Sequence, residues 1–151
     1  ASYDDDFVHG LTKGEYRLAI KAPTTQLNAV SYTSSSKSKK VAYKKSKAKK
    51  IKLDGQTSNI YTTGEKTSRW YKISITSTKK KRILNLGKNT VSGGYKFTIY
   101  KNGKKKAIKT IKVTENANAK IAKMPKKKGT YYIRISKLTK KTNGTYEIGY
   151  Y

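Results

Sequence analysis

Period-two alternation of large apolar and polar residues, returning along most of the chain with no helical periodicity beside it, restricts this sequence to strands. Tyr16, Leu18 and Ile20 alternate with Arg17, Ala19 and Lys21, and Tyr71, Ile73 and Ile75 alternate with Lys72, Ser74 and Thr76. The pattern returns at Tyr95, Phe97 and Ile99, at Tyr131, Ile133 and Ile135, and at Tyr146, Ile148 and Tyr150. Shorter strands are expected at Val30 to Tyr32, Val41 to Tyr43, Ile51 to Leu53, Ile83 to Leu86 and Ile108 to Val113. Between the runs lie dipeptides that supply positive φ: Asp54-Gly55, Gly93-Gly94, Asn102-Gly103 and Asn143-Gly144. Asn102-Gly103, flanked by YKFTIYK and KKKAIKTIKV, is the clearest hairpin. At least seven strands in two packed sheets follow, an all-β, antiparallel two-sheet β-sandwich of jelly-roll or Greek-key type.

The core of such a sandwich is written mainly in tyrosine, with 13 Tyr against 2 Phe and 1 Trp. Tyr joins a large ring that favours burial to a hydroxyl that needs a partner. One phrase returns: GEYRLAI from Gly14, GGYKFTI from Gly93, GTYYIRI from Gly129 and GTYEIGY from Gly144. Each opens an alternating run with glycine, any residue and tyrosine, which predicts a Tyr turning inward as the strand begins. The spacing of the copies is irregular, so they are not a repeat array.

The 151 residues fit one domain, or one domain with an extension. Residues 33 to 40, TSSSKSKK, and the following KKSKAKK from Lys44 to Lys50 mark the expected seam, with 1–45 as an N-terminal β extension and 46–151 as the sandwich. The same stretch is also readable as a long loop or lysine-guarded edge strand within one domain.

Charge sets the outer surface. The 36 Lys and Arg against 8 Asp and Glu give a formal charge of +28, and only Arg17, Arg69, Arg82 and Arg134 are arginines. Lysine is a hydrated point charge without the planar fork that reads phosphate or guanine bidentately, so the balance favours a diffuse positive field over specific nucleic-acid recognition. There are no cysteines, which removes disulfides, thiolate metal sites and thiol nucleophiles. No apolar stretch is long enough for a membrane helix, and ASYDDDFVHG lacks a signal-peptide pattern, so the chain reads as a mature or excised piece.

Catalytic groups are sparse. His9 is the one histidine, and the carboxylates Asp4, Asp5, Asp6, Glu15, Asp54, Glu65, Glu115 and Glu147 are scattered without an acid-base pair, so no enzyme is expected. Asp4, Asp5 and Asp6 form the one acidic cluster. An oxygen-rich run of this kind can ligate calcium if partners arrive from elsewhere, or it can pair with lysines of its own domain.

Strand parity selects a different set of residues. If Tyr71, Ile73 and Ile75 face the core, Trp70 faces away from it, and Tyr100 and Tyr132 share this outward parity in their own strands. Outward aromatics can form a stacking platform for a sugar, while Trp70 can alternatively cap the sandwich edge beneath a loop. Lysine runs in the intervening loops supply cations, with Lys44, Lys45, Lys80, Lys105 and Lys127 as candidate ligand-binding positions.

From Lys49 onward the order of signals resembles the bacterial pre-peptidase C-terminal domain, a small β-sandwich at the ends of secreted peptidases and other surface proteins. Its phrases are IKLDG, then RWYKISI, then YKFTIYKNGK, and a closing pair GTYYIRIS and GTYEIGYY. The resemblance implies an accessory domain of an exported or cell-surface protein; the absence of cysteine is compatible with the cytosol and also with many exported proteins of Gram-positive bacteria. The family often carries an aspartate before the aromatic of its second strand, where this chain has Arg69, and a D-x-D-L-type segment where this chain has TVSGGYKF. Calcium-binding relatives can hold carboxylates at both places, so the resemblance does not extend to a calcium site there. LTKGEY and MPKKKGTY resemble the tyrosine corner of fibronectin type III-like sandwiches, which is the alternative fold reading.

These features lead to three functional expectations. The first is a non-catalytic module that engages an anionic glycan or cell-wall polymer through lysines and exposed aromatics. The second is a spacer that stabilises neighbouring domains of a larger parent protein, and the third is nonspecific nucleic-acid binding that weakens steeply with salt.

Overall fold

The alternating runs become strands with one side sealed. In the computed structural model, which describes residues 9–12, 16–17 and 40–151, the strands are β1 (Lys49–Lys50), β2 (Gly55–Tyr61), β3 (Arg69–Ile75), β4 (Ile83–Ser92), β5 (Tyr95–Lys101), β6 (Lys109–Val113), β7 (Ala119–Lys123), β8 (Gly129–Lys137) and β9 (Asn143–Tyr150). They form a five-stranded sheet in the order β1-β3-β8-β5-β6 and a four-stranded sheet in the order β2-β9-β4-β7. Every pairing is antiparallel except that of the two-residue β1, which runs parallel to β3. Among the described strands only β5 and β6 are both consecutive and adjacent, joined through the Asn102-Gly103 turn; every other connection passes from one sheet to the other. The result is the expected two-sheet sandwich.

Inward positions fill the space between the sheets. Arg69, Tyr71, Ile73 and Ile75 of β3 are buried, and Trp70, Lys72 and Ser74 alternate with them on the other face. Phe97, Ile99, Ile133 and Ile135 meet Leu84, Leu86, Tyr146 and Ile148 from the opposite sheet in one core. Of the four glycine-tyrosine phrases, those at Tyr95, Tyr131 and Tyr146 do turn the ring fully inward. Tyr16 is the exception, a residue 51% exposed.

Buried tyrosine hydroxyls are costly unless bonded. Here they reach across the core: Tyr95 donates to the Gly144 carbonyl at 2.7 Å and Tyr150 to the Ser74 carbonyl at 2.8 Å, while Tyr61 donates its one proton to the Thr67 carbonyl at 2.8 Å and shares it with the Ile135 carbonyl at 3.4 Å. The Tyr71 and Tyr146 hydroxyls lie 2.6 Å apart. Four of these contacts join one sheet to the other, which phenylalanine could not do. Tyr131 donates instead to the Lys127 carbonyl four residues upstream, at 2.8 Å, and Tyr16 makes the same local contact to Thr12. The tyrosine-corner geometry expected from MPKKKGTY and LTKGEY is thus present.

Several expected elements differ. Val41 to Tyr43 is not a strand: the segment runs along the edge of β3, where the Ala42 carbonyl accepts from the Trp70 amide at 2.8 Å, and it ends in a 3-10 turn at Lys45–Lys47. Ile51 to Leu53 begins a turn, and the paired residues lie just before it, because Ile51 drops into the core and Asp54 takes the left-handed conformation, φ 63°. Asn143-Gly144 opens β9 and is not a turn. β2 and β7 had no counterpart among the expected strands. The expected strands over Leu18 to Lys21 and Val30 to Tyr32, and the Asp4, Asp5 and Asp6 cluster, lie outside the described residues.

Two described pieces of the expected N-terminal extension touch the sandwich. Besides Ala42, Gly10 is gripped by the buried Asn143 amide, whose Oδ1 accepts from the Gly10 N–H at 2.6 Å and whose Nδ2 donates to the Gly10 carbonyl at 2.9 Å.

Candidate functional site

The outward face of the five-stranded sheet gathers the three aromatics that parity singled out. Tyr100 of β5 is the direct cross-strand partner of Tyr132 of β8, and Trp70 of β3 sits one pair further along, opposite Arg134. Cross-strand neighbours on one face stand within side-chain reach, and diagonal ones are within reach of aromatic rings. Trp70 and Tyr100 accordingly meet above β8 with ring centroids 5.8 Å apart.

Two cations complete the cluster. The 3-10 turn carries Lys45 out over the sheet, placing its ammonium 4.8 Å from the Tyr132 ring centre and 5.7 Å from that of Tyr100. Arg134 holds its guanidinium 5.8 Å from the Trp70 ring centre while its Nε donates to the Ser68 hydroxyl at 3.0 Å. Both lie within the range of cation–π attraction. Register places Lys72, Lys96 and Lys112 on the same face beside this cluster, and the outward positions of β3, β5, β6 and β8 hold no carboxylate. Trp70, Tyr100 and Tyr132 are each half-buried, so the cluster is a packed aromatic step that leaves part of its surface open. Lys44 is exposed beside Lys45 at the start of the same turn.

The other lysines selected from sequence do not join this face. Lys80, Lys105 and Lys127 lie in the β3–β4, β5–β6 and β7–β8 connections, which meet at one end of the sandwich. Lys127 there lines a concavity of about 720 Å³ that sequence did not reveal. Arg134 was also missed as a site residue, although its parity matches that of Tyr132.

Arg69, the departure from the family pattern, points into the core. Its guanidinium lies 3.8 Å from the Tyr61 ring centre, pairs with Glu65 at 2.7 Å and donates to the Tyr146 hydroxyl at 3.3 Å. Burial alone would raise the Glu65 carboxyl, but the Thr62 hydroxyl and amide and the Arg69 guanidinium outweigh it and hold it below its ordinary value. A buried cation already occupies the space, and its charge would repel a second one.

No protein-family model matches the chain, and no curated protein does. Among solved structures it is similar to the pre-peptidase C-terminal domain of a collagenase from Bacillus anthracis, with a TM-score of 0.57 at 19% identity, over 70% of this chain and 95% of that one. A periplasmic inhibitor of g-type lysozyme from Aeromonas hydrophila is also similar, with a TM-score of 0.45 at 11% identity, over 70% of this chain and 98% of that one. The first likeness establishes a pre-peptidase C-terminal-like fold, in agreement with the strand phrases.

Proposed function

We propose that the chain is a non-catalytic binding module of an exported or cell-surface protein, and that the outward face of its five-stranded sheet engages an anionic glycan. The observation that carries this reading is the convergence of Trp70, Tyr100 and Tyr132 with Lys45 and Arg134 on a sheet face whose described outward strand positions hold no carboxylate. Aromatic faces accept the apolar side of a sugar ring, and the flanking cations attract its carboxylate, sulfate or phosphate groups. The fold shared with a collagenase domain supports the exported, accessory setting.

A glycan array at physiological ionic strength tests the proposal. Wild-type protein is expected to bind anionic glycans above basic proteins of matched charge, and Trp70→Ala to lose about tenfold in affinity, equivalent to about 1.4 kcal/mol. Because Trp70 is only half-buried, the same change should cost about 2 kcal/mol in stability, below the 3 to 5 kcal/mol of a fully buried ring. A flat array would leave the spacer role, and undiminished binding by Trp70→Ala would remove this face as the site.

A further inference from the structure

The β3–β4, β5–β6 and β7–β8 connections (residues 76–82, 102–108 and 124–128), which meet at one end of the sandwich, carry ten lysines and arginines and no carboxylate. Among the described residues, Asp54 on the turn before β2 is the acidic side chain at this same end, and it does not line the concavity there. Six lysines do line it: Lys81, Lys101, Lys109, Lys123, Lys126 and Lys127. Ile108, Met124, Pro125 and Tyr131 make up the rest of its lining.

Strand periodicity explains why charge collects here. Lys101 continues the inward series Tyr95, Phe97 and Ile99, and its partner across the ladder is the buried Tyr131; Lys109 pairs with Ile99 in the same inward parity. Both lysines therefore occupy core positions one step beyond the core, at the open mouth between the sheets. The Lys109 ammonium donates to the Lys123 carbonyl, and the Tyr131 hydroxyl bonds Lys127, so the rims are tied to the framework. Partial desolvation and the neighbouring Lys127 and Lys104 all push Lys101 below its ordinary pKa. An anion placed there would relieve this repulsion.

We propose that this basin is a second binding site, separate from the aromatic face, and that it takes a linear chain of closely spaced phosphates. The basin has point-charge ammonium groups and no arginine fork, which suits charge density more than a shaped carboxylate or guanine edge. Tyr131, the one aromatic among the described residues that line it, is buried, so the described lining presents no ring for base stacking. A phosphate backbone without bases satisfies both conditions.

Linear inorganic polyphosphate and poly(glycerol phosphate) serve as separate probes, with single-stranded DNA and chondroitin sulfate for comparison. Lys101→Gln/Lys127→Gln should weaken binding of at least one phosphate polymer tenfold or more and reduce the salt slope by about 1.4, at about 0.7 per lost contact. Lys66→Gln/Lys140→Gln removes the same charge from loops at the opposite end and should change affinity less than threefold. NMR shifts on titrating the wild-type protein should concentrate at Ile108, Met124 and Tyr131. Equal losses in the two double variants, shifts spread over all lysines, or tighter binding of DNA or chondroitin sulfate would each overturn the proposal. Trp70→Ala should bind the phosphate polymers like wild type, which separates this site from the aromatic face.

Discussion

Arg69 sits where β3's alternation calls for an apolar side chain, and its charge is accommodated by the rings of Tyr61 and Tyr146 and the carboxylate of Glu65. Truncation would leave a hole between two tyrosines and an unpaired Glu65. Arg69→Ala should therefore cost about 3 kcal/mol or more in urea unfolding, and Arg69→Met, which refills the volume without a charge, should recover part of it. A second prediction at this scale follows from Tyr61, Tyr95 and Tyr146. Burial raises all three well above the ordinary phenol value, chiefly by desolvating the phenolate. Unfolded, they release protons near pH 10; folded, they hold them, so the unfolded state binds fewer protons above that pH. The stability they contribute is fully present below about pH 10 and declines as pH rises further. Alkaline titration should show loss of near-UV circular dichroism together with phenolate absorbance. Tyr95→Phe, about 1 kcal/mol less stable at neutral pH for want of its bond to Gly144, should decline less steeply above pH 10.

At the scale of elements, β9 passes between β2 and β4 and has room for a glycine alone near its start. Gly144 has φ 135°, and a Cβ there would stand 2.3 Å from the Asn89 carbonyl oxygen and 2.5 Å from the Thr90 Cα. Gly144→Ala combines backbone strain with overpacking and should destabilise by about 3 kcal/mol, read as a lowered melting temperature. Strands of this central kind were legible in sequence because both neighbours and the opposite sheet demand large inward residues. The edge strands β2 and β7 were not. In β2 the inward series is Thr57, Asn59 and Tyr61, and in β7 the buried residue is Ala122 while Ile121 faces solvent, 62% exposed. An edge strand gains its ladder from one side only, so its sequence is less constrained. The outward aromatics were legible for the converse reason, since parity within central strands fixes their face. Lys45 reaches the same rings only because a 3-10 turn folds over the sheet, a geometry that no periodicity encodes.

At the scale of the whole molecule, the described loops at the two ends of the sandwich differ in charge. The loops opposite the lysine basin, residues 62–68, 93–94, 114–118 and 138–142, include Glu65 and Glu115 among few lysines. Sequence disclosed the abundance of lysine but not this polarity, because the three basic loops are far apart in the chain and meet only through the sheet topology. The asymmetry predicts orientation: on a negatively charged surface at low ionic strength, hydrogen exchange should slow first in residues 102–108 and 124–128, and added salt should abolish that protection before the aromatic face is affected.

The hydroxyl contacts between the sheets carry a mechanical consequence. Apolar contacts attract without preferred direction and weaken gradually as interlocked layers shift, whereas hydrogen bonds are directional and weaken steeply once stretched or bent. The bonds from Tyr61, Tyr71, Tyr95 and Tyr150 act as dowels through a laminate. A shearing pull along the strands must break them together, so this core resists sliding as a unit and then yields abruptly.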